Sequence, residues 1–320
     1  MSLDERLAEP PDAHVRDPYG REIRSLRLSV TQRCDLACAH CHGEGQTPSA
    51  DEMTALEIER LVRAGASIGI RKVKLTGGEP LLRDDIVDVI SRISPLVNEV
   101  SLTTNGSRLQ SLVQGLKNAG LDRVNVSLHT LDPLLYKRLC GREGCEDAIR
   151  GIRAATRSGL NPVKVNMVVF KDENDSEIMR MIEFCREVRA TLQLIEYEHD
   201  GRGQSSSDFS KRFYSLGPVE EMIAGRSRSM SVNELHRRRR YTLGDNGTNV
   251  DVEFVRPMHN TEFCANCTRL RVTSNGRLKP CLLSSEGDVD VLAPLRSGAT
   301  DSELRSLFLK AISNRRPYWS

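Results

Sequence analysis

Arg33–His42 reads RCDLACAHCH and sets Cys34, Cys38 and Cys41 in a C-x3-C-x2-C array just after the apolar run Leu26–Thr31. Three thiolates this close suit one iron–sulfur cluster, whose irons take cysteine sulfur. A [4Fe-4S] cube held by three cysteines keeps one iron without a protein ligand, and a vacant position is where a substrate or cofactor docks. Structural zinc and plain buried thiols are the competing readings. The three-residue gap speaks against zinc, which favours C-x2-C or C-x4-C pairs. Leu26–Thr31 is the strand candidate that delivers the array. Its Arg27 is either a solvent-facing position or a ligand-facing cation at a barrel mouth.

Thr76–Arg83, TGGEPLLR, follows a second apolar run, Lys72–Leu75. Gly77 and Gly78 let backbone approach a ligand closely, and Glu79 offers a carboxylate to a ligand ammonium. Alone, the motif reads equally as a strand-exit turn. Further strands are expected at Lys72–Thr76, Glu99–Thr103, Arg123–Leu128, Val163–Phe170 and Leu192–Glu196. Helical patterns fall between them: Ile86/Val89/Ile90/Ile93, Leu109/Leu112/Leu116, Ile149/Ile152 and Ile178/Met181/Ile182/Cys185. An earlier helix opens with the capping box Thr54-x-x-Glu57, and Gly69, Gly120 and Gly159 mark helix ends. Strands alternating with helices predict a parallel α/β sheet. Six such strands are too few for a closed eight-stranded barrel, so an open, partial (β/α)6 barrel is expected. Catalytic groups of such barrels gather at the strands' C-terminal ends. The candidates there are Thr103–Gly106, Ser127-Leu128-His129 and Glu196–His199, with Lys164 and Asn166 on the fifth strand.

Beyond the linker-like Gly201–Ser210 the βα rhythm stops. His236–Arg240, HRRRR, reads first as a solvated cationic face, with anion binding as the lesser alternative. Cys140, Cys145 and Cys185 lack partners at metal spacing and read as structural. Cys264, Cys267 and Cys281 form a second triad, C-x2-C-x13-C. A zinc site needs a fourth ligand, for which His259 is close in sequence; a second cluster with its own open iron is the alternative, and both stay open. Arg269 and Arg271 alternate on a strand-like run, so they share a face and suit a polyphosphate. The expected division is a loose arm over 1–25, the barrel over 26–225, and a C-terminal auxiliary-cluster and substrate-binding region over 226–320.

The 320 residues carry a net charge of +2, too balanced to argue for nucleic acid. The opening MSLDERLAEPPD has no apolar core of a secretory signal, and no run of about 18 apolar residues occurs, so no membrane partner is expected. Nine cysteines, mostly in two triads, fit a reducing cytoplasm better than a disulfide framework.

Together, Cys34/Cys38/Cys41 and TGGEP resemble the radical S-adenosylmethionine (SAM) superfamily. Both triads, TGGEPLLR and the string C-x2-C-x-R-x-R-x-T-x2-G-x4-C, with LRLSVTQRC, NVSLHTLD and PVKVNMVV, resemble the GTP 3′,8-cyclase (molybdenum cofactor biosynthesis protein A) family from Arg21 to Leu283. The resemblance implies two [4Fe-4S] clusters and SAM. It implies conversion of GTP to (8S)-3′,8-cyclo-7,8-dihydroguanosine 5′-triphosphate, the first step of molybdenum cofactor biosynthesis. A 5′-deoxyadenosyl radical made at the first cluster would take hydrogen from C3′, the C3′ radical would attack C8, and the second cluster would hold the guanine. Gly78 with its neighbours Gly77 and Glu79, Ser127 and the Glu198 backbone fall at SAM positions, and His40 where bacterial members carry an aromatic residue near SAM. Arg27, Lys72, Lys74, Thr104, Lys164, Arg269 and Arg271 fall at GTP-contacting positions, with Arg269 and Arg271 also placed to steer the radical. The implied partners are an electron donor of flavodoxin or ferredoxin type, the downstream cyclic pyranopterin monophosphate synthase, and a second copy in a homodimer.

Three departures from the family pattern stand out: the ending RRPYWS in place of a Gly-Gly tail, Gln193 where bacterial members have arginine, and Lys74 where arginine is common. They point to an archaeal-type branch. Two other readings remain, a radical SAM enzyme with an auxiliary cluster acting on a peptide or protein, and a non-catalytic iron–sulfur or zinc scaffold. The first would carry more C-terminal cysteines, and the second has no use for TGGEP.

Overall fold

A computed structural model of the protein describes residues 15–46, 49–198, 206–245, 247–257 and 260–317. In β1 (Ser25–Ser29) the buried Leu26 and Leu28 flank Arg27, and the same alternation recurs in its neighbours. These are β2 (Lys72–Thr76), β3 (Glu99–Thr104), β4 (Arg123–Ser127), β5 (Val163–Val169) and β6 (Thr191–Glu196). All six run parallel in sequence order. A parallel sheet covered on both faces has near-continuous apolar strands. Alternation in parallel strands therefore leaves one face for something polar. The apolar face, including Val73, Leu75, Val100, Leu102, Val124, Val126, Val165, Leu192 and Leu194, belongs to the core.

The helices pack there: α1 (Ala55–Ala66), α2 (Ile86–Ile93), α3 (Leu109–Asn118), α4 (Pro133–Cys140), α5 (Cys145–Arg157) and α6 (Ile178–Val188). The capping box forms as expected, Thr54 N donating to Glu57 at 2.8 Å and Glu57 N to Thr54 Oγ1 at 3.2 Å, a device worth about 1 kcal/mol. The short helices α7 (Ser206–Arg212) and α8 (Gly217–Ala224) then lead into the C-terminal strands.

Those strands extend both edges of the same sheet. After β7 (Ser229–Val232) and β8 (Arg239–Asp245), β9 (Thr248–Val255) joins β6 in parallel; past α9 (Thr261–Ala265), β10 (Arg269–Val272) joins β1 in parallel. β11 (Arg277–Lys279), β12 (Val289–Asp290), α10 (Leu292–Arg296) and α11 (Asp301–Ser313) complete the order. The sheet runs β12-β11-β10-β1-β2-β3-β4-β5-β6-β9-β8-β7 and stays open, a partial (β/α)6 barrel with a C-terminal extension.

Residues 15–25, read as the end of a loose arm, are ordered instead. Arg16 and Glu22 bridge, and the buried Asp17 accepts from Tyr19 N, Arg21 N (both 3.0 Å) and Arg21 Nε (2.6 Å). Arg21 also donates to the carbonyls of Cys264 (3.2 Å), Arg316 and Pro317 (2.9 Å), tying both chain ends to the second triad. His199, His259 and residues 201–205 of the linker reading lie outside the described residues, and its second half, 206–210, is helical in α7 instead.

Candidate active site

The first motif and the glycine turn are stitched together. Val30 N donates to Thr76 O (2.8 Å), Gly78 N to Thr31 O (2.9 Å) and Glu79 N to Arg33 O (2.7 Å). A Cβ on Gly77 would lie 2.3 Å from Thr31 O, at a φ of +148°, and one on Gly78 2.3 Å from Arg33 O. These glycines are needed first because the strand leading to the cysteine loop crosses them, a reason the sequence did not reveal. Gly78→Ala is accordingly expected to displace that loop, lowering bound iron together with SAM cleavage by about tenfold or more. Normal iron with only weaker SAM binding would place the need at the ligand instead.

The Glu79 carboxylate, expected to meet a ligand ammonium, is taken up by donors within the protein. It is buried, taking Leu81 N (2.9 Å) and Thr104 Oγ1 (2.7 Å) on one oxygen and Asn105 N (2.6 Å) on the other, and braces the ends of β2 and β3. Burial pushes its pKa up to about 7. The Thr104 hydroxyl donates to Glu79 and accepts from Gly106 N (3.0 Å), and the residue lies on the wall of the cavity.

The cysteine loop hangs on the end of α4, with Ala37 N on Cys140 O (2.9 Å) and Ala39 N on Leu139 O (3.2 Å). Leu36 N and Gly43 N donate to Cys34 Sγ and Cys41 Sγ, each at 3.4 Å. Burial pushes Cys34 up to about 11; a hydrogen bond to Cys140 raises Cys38 as well, so Cys140 is not isolated as its spacing suggested. His40 meets His129 through their Nε2 atoms at 3.1 Å. Because Val168 N donates to His129 Nδ1 (3.1 Å), His129 carries its proton on Nε2 and donates it to His40 Nε2. Burial keeps both rings neutral, His129 at about 4 and His40 well below its usual value, so His40 has its proton on Nδ1. That buried Nδ1 has no hydrogen-bond partner among the described residues and offers a donor at the cavity.

Below this end the polar face forms a lumen. Strand register places Arg271, Arg27, Lys74, Ser101 and Arg123 side by side on five neighbouring strands. Lys74 donates to Asn125 Oδ1 (3.0 Å), and burial, then Arg123 and Arg27, hold it well below the usual lysine value. Burial, then Arg271 and Arg27, push Arg269 down to about 9. Lys74 and the Arg269 guanidinium thus face the lumen with no carboxylate partner among the described residues, whereas Arg123 pairs with Glu99. On the other wall, Glu253 of β9 pairs with Lys164 and with Arg238 at 3.0 Å, and stands in register with Gln193. HRRRR is therefore not a solvated face throughout: Arg238 enters the lumen, and His236 is buried, stacked on Phe263 at 3.6 Å. Arg123, Arg238, Glu44 and Glu253 were missed. Arg123, at the first position of an alternating strand, was the most legible of them.

The second triad stands at the opposite end, where the strands begin. Cys267 precedes β10, and Cys281 follows β11, which runs antiparallel to it. Lumen-facing cations thus line the strands' length and N-terminal ends, not only the C-terminal ends. Burial would raise the Cys267 thiol, but Arg315, Arg269 and Arg271 outweigh it and favour thiolate, the ligand form. Arg315 also donates to Cys267 O at 3.0 Å and faces Asp17 at 3.4 Å.

One cavity of about 1230 Å³ takes in all six cysteines, with Gly77, Gly78, Ser127, His40, Glu198, Arg27, Lys72, Lys74, Lys164, Arg269 and Arg271 on its wall. Lys72 is exposed at its mouth, and burial raises the Glu198 carboxyl. Among the described residues no three side chains close round a single metal ion, and no helix is long and apolar enough to cross a membrane.

A partial barrel with a three-cysteine loop stitched to a glycine turn defines a radical SAM enzyme, and the Radical SAM superfamily model matches residues 28–185. The Molybdenum Cofactor Synthesis C model matches residues 190–320. The chain belongs to the GTP 3′,8-cyclase family. It is 48% identical to the Pyrococcus horikoshii protein of that name over 95% of this chain and 98% of the relative, and 49% identical to that of Thermococcus kodakarensis over 95% and 99%. The Methanothermobacter thermautotrophicus relative is 43% identical over 96% and 99%. Among solved structures, Streptococcus suis SuiB shares the fold with a TM-score of 0.62 at 20% identity, over 88% of this chain and 64% of that one. AnSMEcpe with bound AdoMet does so with a TM-score of 0.54 at 17% identity, over 88% and 80%.

Proposed function

We propose that the chain cyclises GTP to (8S)-3′,8-cyclo-7,8-dihydroguanosine 5′-triphosphate with two [4Fe-4S] clusters and SAM. The observation that carries this reading is the cation-rich lumen between two cysteine triads, in which the Lys74 ammonium and the Arg269 guanidinium have no carboxylate partner among the described residues. Cys34, Cys38 and Cys41 would hold the first cluster and Cys264, Cys267 and Cys281 the second. When bound, the first supplies the electron that cleaves SAM and the second an open iron for the guanine.

The residues position and charge-match. The backbone of Gly77, Gly78 and Glu198, the Ser127 hydroxyl and the His40 Nδ1–H face SAM. Arg27, Lys72, Lys74, Lys164, Arg269 and Arg271, joined by Arg123 and Arg238, face a triphosphate that carries about four negative charges near neutral pH. A reactive radical requires that bound SAM and substrate fill the lumen and displace its water. On this reading residues 26–225 serve the SAM end and 226–320 the substrate end, the electron donor is of flavodoxin or ferredoxin type, and the product passes to a cyclic pyranopterin monophosphate synthase.

Anaerobic reconstitution should give about eight irons per chain; about four irons with one zinc would mark the C-terminal triad as a zinc site. Cys281→Ser is expected to cut cyclised product by about tenfold or more while 5′-deoxyadenosine formation stays within about threefold. Parallel losses with the first cluster intact would undo that division of labour.

A further inference from the structure

Glu44, three residues past Cys41, carries no role in the reading above. Its backbone is left-handed, φ 53° and ψ 21°, after Gly43 at φ 56°, and its side chain is buried. One carboxylate oxygen accepts from Arg27 Nε (3.0 Å), Arg27 Nη2 (2.5 Å) and Thr76 Oγ1 (2.9 Å). The other accepts from Arg271 Nη1 (2.9 Å). The cysteine loop, the strand before the glycine turn and both lumen arginines thus meet on one side chain.

A carboxylate among cations meant for a polyanion costs binding charge, so its use lies elsewhere. Burial would raise its pKa, but Arg27 and Arg271 outweigh that and keep it ionised. Engaging Nε and Nη2 of Arg27 and Nη1 of Arg271 fixes both planar forks. Nη1 of Arg27 and Nε and Nη2 of Arg271 have no partner among the described residues. A guanidinium held on one edge can present only the other edge to a ligand, and that geometry sets bidentate recognition.

We infer that Glu44 is a positioning residue, which aims Arg27 and Arg271 at the substrate's phosphate oxygens and ties their orientation to the cysteine loop. This rests on GTP being the substrate. It separates orientation from charge. Glu44→Gln removes one negative charge from the lumen, so raw attraction for a polyanion does not fall. The Gln amide keeps one acceptor oxygen but sets its NH2 against the other guanidinium, so the two arginines are no longer aimed together.

The test uses the full reconstituted chain with inorganic triphosphate as the binding probe. For E44Q, inhibition by triphosphate should be as strong as in wild type or stronger, while kcat for cyclised GTP falls about tenfold or more at unchanged iron content. Wild-type kcat in E44Q at normal iron overturns the inference, as does parallel loss of triphosphate binding and turnover, which marks a merely structural residue. Should E44Q lose iron, Glu44→Asp keeps the charge but is one methylene short of both arginines, and its kcat must show the same fall. The wild type run alongside separates the two readings. No cyclised product there counts against GTP as substrate, whereas an unchanged variant beside an active wild type counts against Glu44 alone.

Discussion

Cys34→Ser should reduce 5′-deoxyadenosine formation to background, a loss of about 10³-fold or more, equivalent to some 4 kcal/mol on the barrier. A cluster held by three thiolates has none to spare, and serine oxygen is a poor substitute for a soft ligand. Cys34 Sγ already accepts Leu36 N–H at 3.4 Å, the outer contact expected of a ligand sulfur. Cys38 is less clean as a single variant because Cys140 hydrogen-bonds to it from the end of α4. The Cys38→Ser/Cys140→Ser double variant removes the neighbouring thiol and should match Cys34→Ser. Retained 5′-deoxyadenosine production by reconstituted Cys34→Ser would refute the assignment of the first triad.

Arg269→Ala and Arg271→Ala should each lower cyclisation by about ten- to two-hundredfold, 1.5–3 kcal/mol for one charge-assisted contact, with iron content unchanged. Both guanidiniums project into the lumen beside the second triad. Their situations differ: Arg271 is held by Glu44, whereas the Arg269 guanidinium has no hydrogen-bond or salt-bridge partner among the described residues. Arg271→Ala therefore also releases Glu44, and its effect should not add to that of Glu44→Gln, since the two share one contact. Arg269→Lys keeps the charge but loses the planar fork, so it should recover only part of the loss. A surface arginine would cost within about ±0.5 kcal/mol. Full GTP turnover by the double alanine variant at normal iron would reduce this segment to scaffold.

The barrel was legible because each strand announces itself by alternation. Leu26-Arg27-Leu28 and Lys72-Val73-Lys74-Leu75 already divide into an apolar and a charged face, and the helical stripes between them resolve as α2, α3, α5 and α6. The cysteine spacing likewise marked both triads. The placement of the second triad was not legible, because β9 and β10 join the sheet by pairings about 60 and 240 residues away in sequence, Leu192 with Val252 and Arg27 with Arg271. Side-chain partners were hidden for the same reason. Nothing in TGGEP says that Glu79 is satisfied by Thr104 and Asn105, and nothing in HRRRR says that Glu253 draws Arg238 inward. Charge runs and carboxylates take their meaning from neighbours that only the fold supplies.

On the proposed reading SAM and GTP share this one lumen, and a radical formed at one end takes hydrogen from C3′ of the nucleotide. Turnover of GTP deuterated at C3′, with SAM and reductant, followed by mass analysis of the 5′-deoxyadenosine, checks this. The expected product is 5′-deoxyadenosine carrying one deuterium together with a cyclised triphosphate. Unlabelled 5′-deoxyadenosine beside unchanged GTP would contradict it.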